Sequence, residues 1–444
     1  MIRFLYSVLM GLLQPFVRAK LRRRASAEPG YGEYIEERFG HYAEAPGSTG
    51  SHSDTNGFYV WVHAVSLGET RAAAPLVAQL RLALPGMRLL LTHGTATGRE
   101  QGRSLLQDGD AQVWQPWDTP GAVQRFLKHF QPRVGLLVET EIWPNMVAAC
   151  ARTNIPLCLV NARLSEKSMR QARRLAWLSG PAYRGLRAVW AQAPEDARRL
   201  SALGAPVLGV TGNFKFDATP DPALLEQGRN WRQVLARPVV VFASSREGEE
   251  ALLLQKLKRL SALAPVEQAT TATKNIASEV QWLIVPRHPQ RFDAVVQLCA
   301  EQGFSVSRRS QWDGVPQEAD IWVGDSLGEM ALYYGLSDLA LLGGSFEPLG
   351  GQNLIEAAAC GCPVVMGPHT FNFVQATELA VAAGAAFEAP DLGLAVEKAM
   401  ALLRSQPQLQ MARHAALDLS LAHRGAAART AQAVKNIVLA SRSP

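Results

Sequence analysis

Residues 58–63 have the sequence Phe-Tyr-Val-Trp-Val-His, and residues 64–69 continue as Ala-Val-Ser-Leu-Gly-Glu before a helical stretch. Aromatic and β-branched residues are typical of strands, and an unbroken apolar run predicts a strand that is covered on both faces. The turn that follows, with Gly68 and Glu69, predicts the start of a helix. A buried strand that passes directly into a helix indicates a parallel α/β sheet.

The same alternation of strand and helix recurs along the chain. Strands are predicted at 58–63, 88–92, 134–138, 157–160, 188–191 and 207–210, and after an interruption at 239–243, 282–285, 321–323, 339–342 and 363–366. The fold class is therefore α/β, with two doubly wound Rossmann-like domains at residues 25–216 and 239–444 and a linker at 217–238. Residues 42–57 and 266–278 are predicted to be polar surface loops. Ligands of such sheets bind beyond the carboxyl ends of the strands, so functional residues are sought there.

Composition and charge exclude several classes of protein. The 444 residues are 48% hydrophobic and 19% charged, which excludes a disordered or fibrous chain. The five cysteines show no C-x-x-C spacing, which argues against a zinc ribbon or a disulfide framework. The net charge is +6, and residues 1–24 carry that whole excess without an acidic residue. The rest of the chain is neutral, so no nucleic-acid partner is expected.

The amino-terminal segment, residues 1–24, is predicted to contact a membrane. Its apolar run at residues 4–17 would be roughly 21 Å long as a helix, against about 30 Å for a bilayer core, so spanning is marginal. The basic cluster follows the run, which is the reverse of the order in a secretory signal. We expect an anchor or interfacial helix with the body of the protein on the cytoplasmic side. The alternative is a basic amphipathic helix docked on its own protein.

Charged residues of the first half are candidates for catalysis. Glu69 lies at a strand-to-helix turn, where an ionised carboxylate can accept a proton from a hydroxyl group. Glu139 and Glu141 follow the strand at 134–138 in a cluster with a Trp, a Pro and an Asn. Lys215 ends the first domain and could reach into a cleft between the domains. The alternatives are that Glu69 only complements the helix dipole and that Lys215 is solvated.

The second half carries the features of a phosphate and nucleotide site. Hydroxyl residues at a strand-to-helix turn, an arginine held between prolines, and glycines after a strand all favour phosphate binding, and a glutamate on the next helix can bind a ribose. The candidates are Ser244, Ser245, Arg246, Pro286, Arg287, Leu327, Gly328, Glu329, Gly343, Gly344, Ser345, Asn353, Leu354, Ile355 and Glu356. No Walker A loop, G-x-G-x-x-G fingerprint, H-E-x-x-H or G-x-S-x-G motif occurs. The D-x-D sequence at 108–110 does not directly follow a predicted strand and is interpreted as a solvated turn, so no metal is expected.

The ordered motifs at 37–40, 63–69, 139–145, 161–165, 212–217, 286–289, 324–329, 343–345, 351–356 and 367–373 together resemble the Kdo transferases. These enzymes move 3-deoxy-D-manno-octulosonic acid (Kdo) from CMP-Kdo to a lipid A precursor in lipopolysaccharide core assembly. The resemblance covers nearly the whole chain. It implies the two-domain glycosyltransferase fold called GT-B, with a cleft between the domains, an amino-terminal helix at the inner (cytoplasmic) membrane, and no metal or other cofactor.

The resemblance also implies roles for individual residues. Glu69 would be the proton acceptor, and Glu139 and Lys215 would stabilise the transition state of an inverting transfer. The CMP moiety would contact residues 286–287, 327–329 and 353–356. Relatives usually carry a histidine where this chain has Arg246, so Arg246 is expected to hold the phosphate or the Kdo carboxylate instead. Two alternatives remain: a GT-B transferase that uses a UDP-sugar and another lipid acceptor, and a nucleotide-binding regulator on an inactive transferase scaffold.

Overall fold

The structure is a computed structural model that describes residues 2–42, 57–262 and 279–440. Residues 43–56 of the predicted polar loop and the predicted insertion at 266–278 lie outside these ranges. The chain divides into two compact units. The first unit comprises Met1–Asp217 and Arg424–Pro444, and the second comprises Ala218–His423.

The first unit contains a parallel sheet, which has seven strands in the described part of the chain. In chain order they are β1 (Phe58–His63), β2 (Met87–His93), β3 (Ala111–Trp114), β4 (Val134–Val138), β5 (Leu157–Ala162), β6 (Ala188–Ala191) and β7 (Val207–Val210). Their spatial order is β3-β2-β1-β4-β5-β6-β7. The helices before and between the strands are α1 (Ile2–Ala25), α2 (Leu67–Ala83), α3 (Ala96–Gly102), α4 (Pro120–Phe130), α5 (Pro144–Arg152), α6 (Glu166–Arg174), α7 (Ala176–Arg184) and α8 (Pro194–Ala202).

The second unit repeats this architecture. Its strands are β8 (Val239–Ser245), β9 (Gln281–Pro286), β10 (Val306–Arg308), β11 (Ile321–Val323), β12 (Leu339–Leu342), β13 (Val364–Met366) and β14 (Ala386–Glu388), in the spatial order β10-β11-β9-β8-β12-β13-β14. Its helices are α9 (Pro222–Val234), α10 (Glu249–Ala262), α11 (Phe292–Glu301), α12 (Met330–Leu336), α13 (Leu354–Ala359), α14 (Val374–Ala382), α15 (Leu392–Arg404) and α16 (Gln406–His423). The final helix, α17 (Ala426–Ala440), belongs to the first unit.

The prediction of two parallel α/β sheets is confirmed. All recorded strand pairs are parallel, as between β1 and β2 and between β8 and β9. The sheet of the first unit is covered on both faces, because separate apolar clusters form around alternate strand residues such as Val60 and Trp61. Burial on both faces explains why the central strands are continuous apolar runs in the sequence.

Residues 217–238, predicted as a linker, include the helix α9 instead. Asp221 caps this helix by accepting the N–H groups of Ala223 and Leu224, and the proline that follows it fits the first helical turn. Gly228 of α9 lies so close to α12 that an added Cβ would stand 2.2 Å from the carbonyl oxygen of Leu332. The helix is therefore part of the second unit, and the prolines mark its start rather than an unstructured connection.

The carboxyl-terminal helix also differs from the predicted domain boundaries, which placed it in the second domain. Helix α17 packs on α2, and its apolar residues Ala427, Val434 and Val438 are buried with the strands of the first sheet. The physical reason is its apolar stripe, which covers the face of the first sheet beside α2.

Helix α1 includes both the apolar run and the basic cluster. One side of α1 docks on the first unit: Trp117 Nε1 donates to the carbonyl of Met10 at 2.9 Å, and the Arg18 guanidinium lies 3.5 Å above the ring of Phe39. The other side exposes large apolar side chains, namely Phe4, Leu5, Val8, Leu9, Leu12 and Phe16. Among the described ranges, no helix has the length and apolar character needed to cross a bilayer.

Candidate active site

The first sheet brings two of the predicted acids to its topological switch point. Strands β1 and β4 pair side by side although they are not consecutive, so the chain leaves them in opposite directions and opens a crevice at their carboxyl ends. Glu69 lies at the start of α2, just after β1, and Glu139 follows β4 directly. Both side chains are half-buried. This position is where a doubly wound sheet binds its ligand.

Glu69 is held in place by its own helix terminus. Its Oε2 accepts the N–H of Val65 at 2.8 Å, and its Oε1 accepts the hydroxyl of Ser66 at 3.2 Å. Burial raises the pKa of Glu69 to about 7, the nearby charges of Glu139 and Glu141 add to the increase, and the two hydrogen bonds oppose it. A carboxylate with a pKa near neutrality is suited to accept and release a proton at physiological pH.

Glu139 has a strained backbone. Its φ is +67°, and Asn161, at the end of the neighbouring strand β5, has a φ of +50°. The backbone of Glu139 is fixed by hydrogen bonds from its N–H to Val160 at 3.0 Å and from Arg163 to its carbonyl at 3.2 Å. Residues other than glycine in this region cost about 1–3 kcal/mol each and cluster at functional sites. Next to it, burial raises the pKa of Glu141.

A buried aspartate that sequence reasoning missed supports this turn. Asp118 accepts the backbone N–H groups of Asn145 at 2.9 Å and Met146 at 2.8 Å, which are the free donors of the first turn of α5. It also accepts the hydroxyl of Tyr6 from α1 at 2.9 Å. Burial raises the pKa of Asp118. The available signal was its position after β3, a strand that was itself not predicted.

Lys215 lies in a short 3₁₀ helix, Phe214–Asp217, that follows β7. Its backbone N–H is accepted by Asn213 Oδ1 at 3.0 Å, and the N–H of Phe214 is accepted by Asn161 Oδ1 at 3.0 Å. The Lys215 side chain is half-buried. Asn161 therefore links the end of β5 to the turn that carries the lysine.

The predicted donor-binding residues all lie in the second unit, and they differ in their exposure. The exposed or half-buried residues are Ser244, Arg246, Arg287, Leu327, Gly328, Glu329, Asn353 and Glu356, and the buried residues are Ser245, Pro286, Gly343, Gly344, Ser345, Leu354 and Ile355. Strands β8 and β12 are adjacent at the switch point of this sheet, so Arg246 and Gly344 follow neighbouring strand ends. Asn353 caps α13 by accepting the N–H of Ile355 at 3.2 Å.

The glycine-rich turn after β12 is occupied by the protein itself. Both carboxylate oxygens of Glu249 accept the N–H of Gly344 at 2.9 Å, and Glu249 also accepts the N–H of Arg246 at 2.9 Å. A Cβ on Gly343 would stand 2.3 Å from the carbonyl oxygen of Ser244, so this glycine permits backbone packing between β8 and β12. Gly343 and Gly344 therefore have a structural role, and their contact with a phosphate stays a prediction. Glu249 was missed because it reads as an ordinary first-turn acid.

Positive charges gather after β8 and β9. His288 is surrounded by arginines: burial lowers its pKa, and the charges of Arg246, Arg287 and Arg291 lower it further. Arg291 donates to the buried Glu250 at 3.2 Å, and Ser245 donates to the same carboxylate at 2.8 Å. The accessible cations Arg246 and Arg287 form a region that suits a phosphate or carboxylate ligand.

The predicted CMP contact at residues 327–329 is a turn with a fixed glutamate. Glu329 accepts Arg309 Nη2 at 2.9 Å and also the hydroxyl of Ser326. Leu327 and Gly328 are exposed beside it, and Gly328 has a φ of +82°. The exposure of Leu327 and Gly328 leaves this turn accessible to a ligand.

The D-x-D sequence has a structural role. Asp110 accepts Arg81 Nη2 at 2.5 Å and the N–H groups of Leu89 and Gln107 at 2.7 Å. Within residues 2–42, 57–262 and 279–440, no group of three or more His, Cys, Asp or Glu side chains is arranged to hold a metal ion.

Comparison with known proteins adds family and fold. Residues 33–218 match the family model described as 3-Deoxy-D-manno-octulosonic-acid transferase (kdotransferase). The 3-deoxy-D-manno-octulosonic acid transferase of Bordetella pertussis is 43% identical over 443 residues, which cover 98% of this chain and 99% of the relative. The enzyme of the same name from Haemophilus influenzae is 31% identical over 442 residues and covers 98% of both chains.

Solved structures with low sequence identity share the architecture. The UDP-GlcNAc 2-epimerase of Neisseria meningitidis has a TM-score of 0.54 and 14% identity, with 87% of this chain and 100% of that chain covered. A glycosyltransferase from Rickettsia africae has a TM-score of 0.52 and 15% identity, with 86% and 99% covered. The two parallel sheets thus form the GT-B fold, and the chain is a glycosyltransferase. Its match to the Bordetella enzyme extends over almost every residue of both chains. The chain belongs to the Kdo transferase family.

Proposed function

We propose that this enzyme transfers Kdo from CMP-Kdo to a lipid A precursor with inversion at the anomeric carbon, without a metal, in lipopolysaccharide core assembly. The observation that carries the proposal is Glu69, whose pKa of about 7 and position at the switch point beside Glu139 suit it to deprotonate an acceptor hydroxyl. Membership of the Kdo transferase family gives the sugar that is transferred.

The transfer is a single displacement. The acceptor oxygen attacks the anomeric carbon while the bond from that carbon to the phosphate oxygen breaks, and CMP leaves with the bonding electrons. Glu69 accepts the proton from the acceptor hydroxyl. Because attack and departure occur on opposite faces, the product has the inverted configuration. General base catalysis of this kind contributes about 10²–10⁴ in rate.

Charge develops at two places in the transition state. The sugar becomes oxocarbenium-like, and the Glu139 carboxylate stabilises this positive charge. The departing phosphate gains negative charge, which Lys215 and the accessible cations Arg246 and Arg287 stabilise. Arg246 provides a permanent positive charge where relatives usually have histidine, so it holds the phosphate or the Kdo carboxylate without requiring protonation.

The cytidine moiety binds along the carboxyl edge of the second sheet. Leu327, Gly328 and Glu329 lie in an exposed turn, and Asn353 and Glu356 are accessible at α13. Pro286, Leu354 and Ile355 have buried side chains, so their contribution comes from backbone atoms.

Helix α1 lies on the cytoplasmic surface of the inner membrane. Its exposed side carries Phe4, Leu12 and Phe16, which are 69%, 68% and 72% exposed. The basic residues of its last turn, Arg22, Arg23 and Arg24, would lie at the anionic headgroups, where each positive charge is worth about 1 kcal/mol. An interfacial position keeps the catalytic body close to an acceptor whose acyl chains remain in the membrane.

The function is tested by incubating the full-length protein with CMP-Kdo and a lipid A precursor and measuring product mass. We expect a mass increase of one or more Kdo residues and release of CMP. Transfer from a UDP-sugar instead, with tighter binding of UDP than of CMP, would favour the alternative transferase. Binding of CMP without any transfer would favour a regulatory scaffold.

Membrane binding is tested separately by sedimentation with phosphatidylglycerol vesicles. We expect Leu12→Ser to weaken vesicle binding, because it removes an exposed apolar side chain from α1. Leu421→Ser is the matched control, since Leu421 is 61% exposed on α16 and lies in the second unit. Equal binding by both variants would contradict the interfacial role of α1.

A further inference from the structure

The turn that carries Lys215 lies at the point where the chain leaves the first unit. The first segment of that unit ends at Asp217, and the chain returns to it at Arg424. Lys215 is thus two residues from the end of its segment, in a 3₁₀ helix of only four residues. Such a short element has little stability of its own, so the position of Lys215 depends on contacts from other parts of the unit.

Asn161 provides the first of these contacts. It is fully buried, has a φ of +50°, and lies where the pairing of β5 with β6 shifts register. Its Oδ1 accepts the N–H of Phe214, the residue before Lys215, at 3.0 Å. Its Nδ2 has no hydrogen-bond partner among the described residues. A buried unpaired donor costs about 1–3 kcal/mol, so Asn161 is a costly choice for packing alone.

Helix α17 provides contacts on both sides of Lys215. Before it, the carbonyl of Thr211 accepts Arg429 Nη2 at 2.7 Å, and the hydroxyls of Thr211 and Thr430 are 3.1 Å apart. After it, the carboxylate of Asp217 accepts the N–H groups of Gly425 and, at 2.6 Å, Ala427. Asp217 thereby satisfies free donors at the start of α17. The segment 211–217 is attached to one helix at both of its ends.

We propose that Asn161 and the first turn of α17 are positioning elements for Lys215, and that the returning carboxyl-terminal helix serves the reaction by fixing this lysine. The inference rests on the role proposed above for Lys215. The hydrogen bond from Phe214 to Asn161 fixes the distance between the turn and the end of β5. The two attachments to α17 restrict the movement of residues 211–217. None of these groups needs to touch the substrate, because their effect passes through the lysine.

A double-mutant cycle tests the inference. Asn161→Gly removes the side chain and introduces glycine, which adopts a positive φ without strain. We expect kcat to fall by roughly 10- to 100-fold, since misplacing a catalytic group by about 1 Å has effects of that order, with the KM for CMP-Kdo nearly unchanged. In a Lys215→Ala background the same substitution should cause no further loss. Asn154→Gly is the matched control, because Asn154 also has a positive φ, +55°, and is exposed.

The possible results separate this inference from the proposed function. Equal losses from Asn161→Gly with and without Lys215 would overturn the positioning role while leaving Lys215 catalytic. A Lys215→Ala variant with unchanged kcat would overturn the catalytic role of the lysine and the inference together. Thermal unfolding of each variant shows whether a loss of kcat reflects unfolded protein.

A second variant avoids the buried site. Arg429→Gln removes the hydrogen bond from the Arg429 guanidinium to the carbonyl of Thr211. Because Arg429 is exposed, the protein is expected to fold normally. We expect Arg429→Gln to lower kcat in the wild-type background. In the Lys215→Ala background, the same substitution should not lower kcat further. Lys435→Gln removes a positive charge from the same helix and is expected to leave kcat unchanged. If Arg429→Gln behaves like Lys435→Gln, the contribution of α17 is excluded.

Discussion

Ser66 and Glu69 hydrogen-bond to each other in both directions. The N–H of Glu69 donates to Ser66 Oγ at 3.4 Å, and Ser66 Oγ donates to Glu69 Oε1 at 3.2 Å. Ser66 thereby caps α2, because its Oγ accepts a free N–H group of the first helical turn, and its hydroxyl at the same time donates to the carboxylate of Glu69. Burial raises the pKa of Glu69 to about 7, and the hydrogen bond from Ser66 opposes this increase because it stabilises the ionised carboxylate.

The first prediction concerns the pH dependence of kcat/KM. Glu69 must be ionised to accept a proton, so kcat/KM should fall as pH decreases below about 7. Ser66→Ala removes a hydrogen bond to the charged form and should move this acidic limb upward by roughly half a unit to one unit. The measurement is kcat/KM for CMP-Kdo between about pH 5 and about pH 9, with the acceptor at a saturating concentration.

The control must lose a helix cap without changing Glu69. Asp391→Ala removes the cap of α15 in the second unit, where Asp391 accepts the N–H of Leu394 at 2.8 Å. We expect a similar loss of helix stability, about 1 kcal/mol, with an unchanged acidic limb. An identical limb in the wild type and in Ser66→Ala would show that another group controls the pH dependence.

The second prediction concerns Glu69 itself. Glu69→Gln keeps the shape and can still accept from Val65, but it cannot accept a proton at neutral pH. We expect kcat to fall by about 10²–10⁴ with CMP affinity retained, because the proposed CMP site lies in the second unit. Glu166→Gln, an exposed first-turn acid on α6 of the same unit, should keep normal turnover. Near-normal turnover by folded Glu69→Gln protein would contradict its role as the base.

The order of elements shows which part of the fold the sequence could predict. Strands buried on both faces, such as β4 and β12, are continuous apolar runs, and their predicted bounds agree with the structure. The strands that were not predicted, β3, β10 and β14, all lie at or next to a sheet edge and are short. A strand such as β10, Val-Ser-Arg, needs no apolar pattern because solvent covers part of it.

The candidate site shows a similar division. Glu69 and Glu139 could be predicted because the topology of a doubly wound sheet places ligands at strand ends. The supporting residues could not, since their partners are distant in sequence: Tyr6 and Asp118 are 112 positions apart, and Asp217 and Ala427 are 210 apart. Their side chains read as ordinary polar residues until the packing of α1 and α17 is known.

The third prediction concerns Glu249, the carboxylate that holds Gly344 and Arg246. A glutamine side chain at position 249 has only one oxygen to accept the N–H groups of Arg246 and Gly344, and its N–H₂ group cannot accept them. Glu249→Gln therefore loses charge-assisted hydrogen bonds of about 1.5–3 kcal/mol. We expect a lower unfolding temperature and, because the turn of Arg246 loosens, a Kd for CMP that is about tenfold higher. Isothermal titration with CMP measures the second effect.

Glu247→Gln is the control for this prediction. Glu247 lies in the same turn, but its side chain is 93% exposed and it is 3.8 Å from Arg291. We expect little change in stability or in CMP affinity. If Glu249→Gln lowers the unfolding temperature but binds CMP like the wild type, the carboxylate supports the fold only.

The fourth prediction concerns stability in acid. Burial lowers the pKa of His63 to about 3 and that of His93 to about 4. The charges of His93 and Arg38 lower the pKa of His63 further. The unfolded chain has histidine pKa values near 6.5, so below that pH it binds more protons than the folded protein. The stability that comes from neutral His63 is therefore present above pH 6.5 and is lost at about 1.4 kcal/mol per pH unit below it.

The test compares pH dependences rather than absolute stabilities. Between pH 6.5 and pH 5, His63→Gln should lose about 2 kcal/mol less free energy of unfolding than the wild type, as measured by urea denaturation. Other buried groups, such as Glu249, titrate equally in both proteins and cancel in this difference. His129→Gln, which changes an exposed histidine, should follow the wild type. Parallel curves for His63→Gln and the wild type would show that His63 has the same pKa in the folded and unfolded states.

The fifth prediction concerns the hydrogen bond between Tyr6 of α1 and Asp118, which follows β3 and accepts the N–H groups at the start of α5. Tyr6→Phe removes the hydroxyl that donates to Asp118, while Asp118 keeps its hydrogen bonds from Asn145 and Met146. We expect faster amide hydrogen exchange over residues 2–25, because α1 loses an attachment worth about 1.5–3 kcal/mol. Turnover of acceptor in vesicles should fall more than CMP affinity, since Asn145, which is bonded to Asp118, lies at the start of the helix that follows Glu139.

Tyr34→Phe is the matched control, because Tyr34 is 64% exposed and lies outside α1. It should leave exchange in residues 2–25 unchanged. If Tyr6→Phe also leaves that exchange unchanged, α1 is held by its other contacts, such as those of Trp117 and Arg18, and the link through Asp118 does not position it. If exchange rises but vesicle turnover is normal, α1 is attached through Tyr6 without influence on the Glu139 turn.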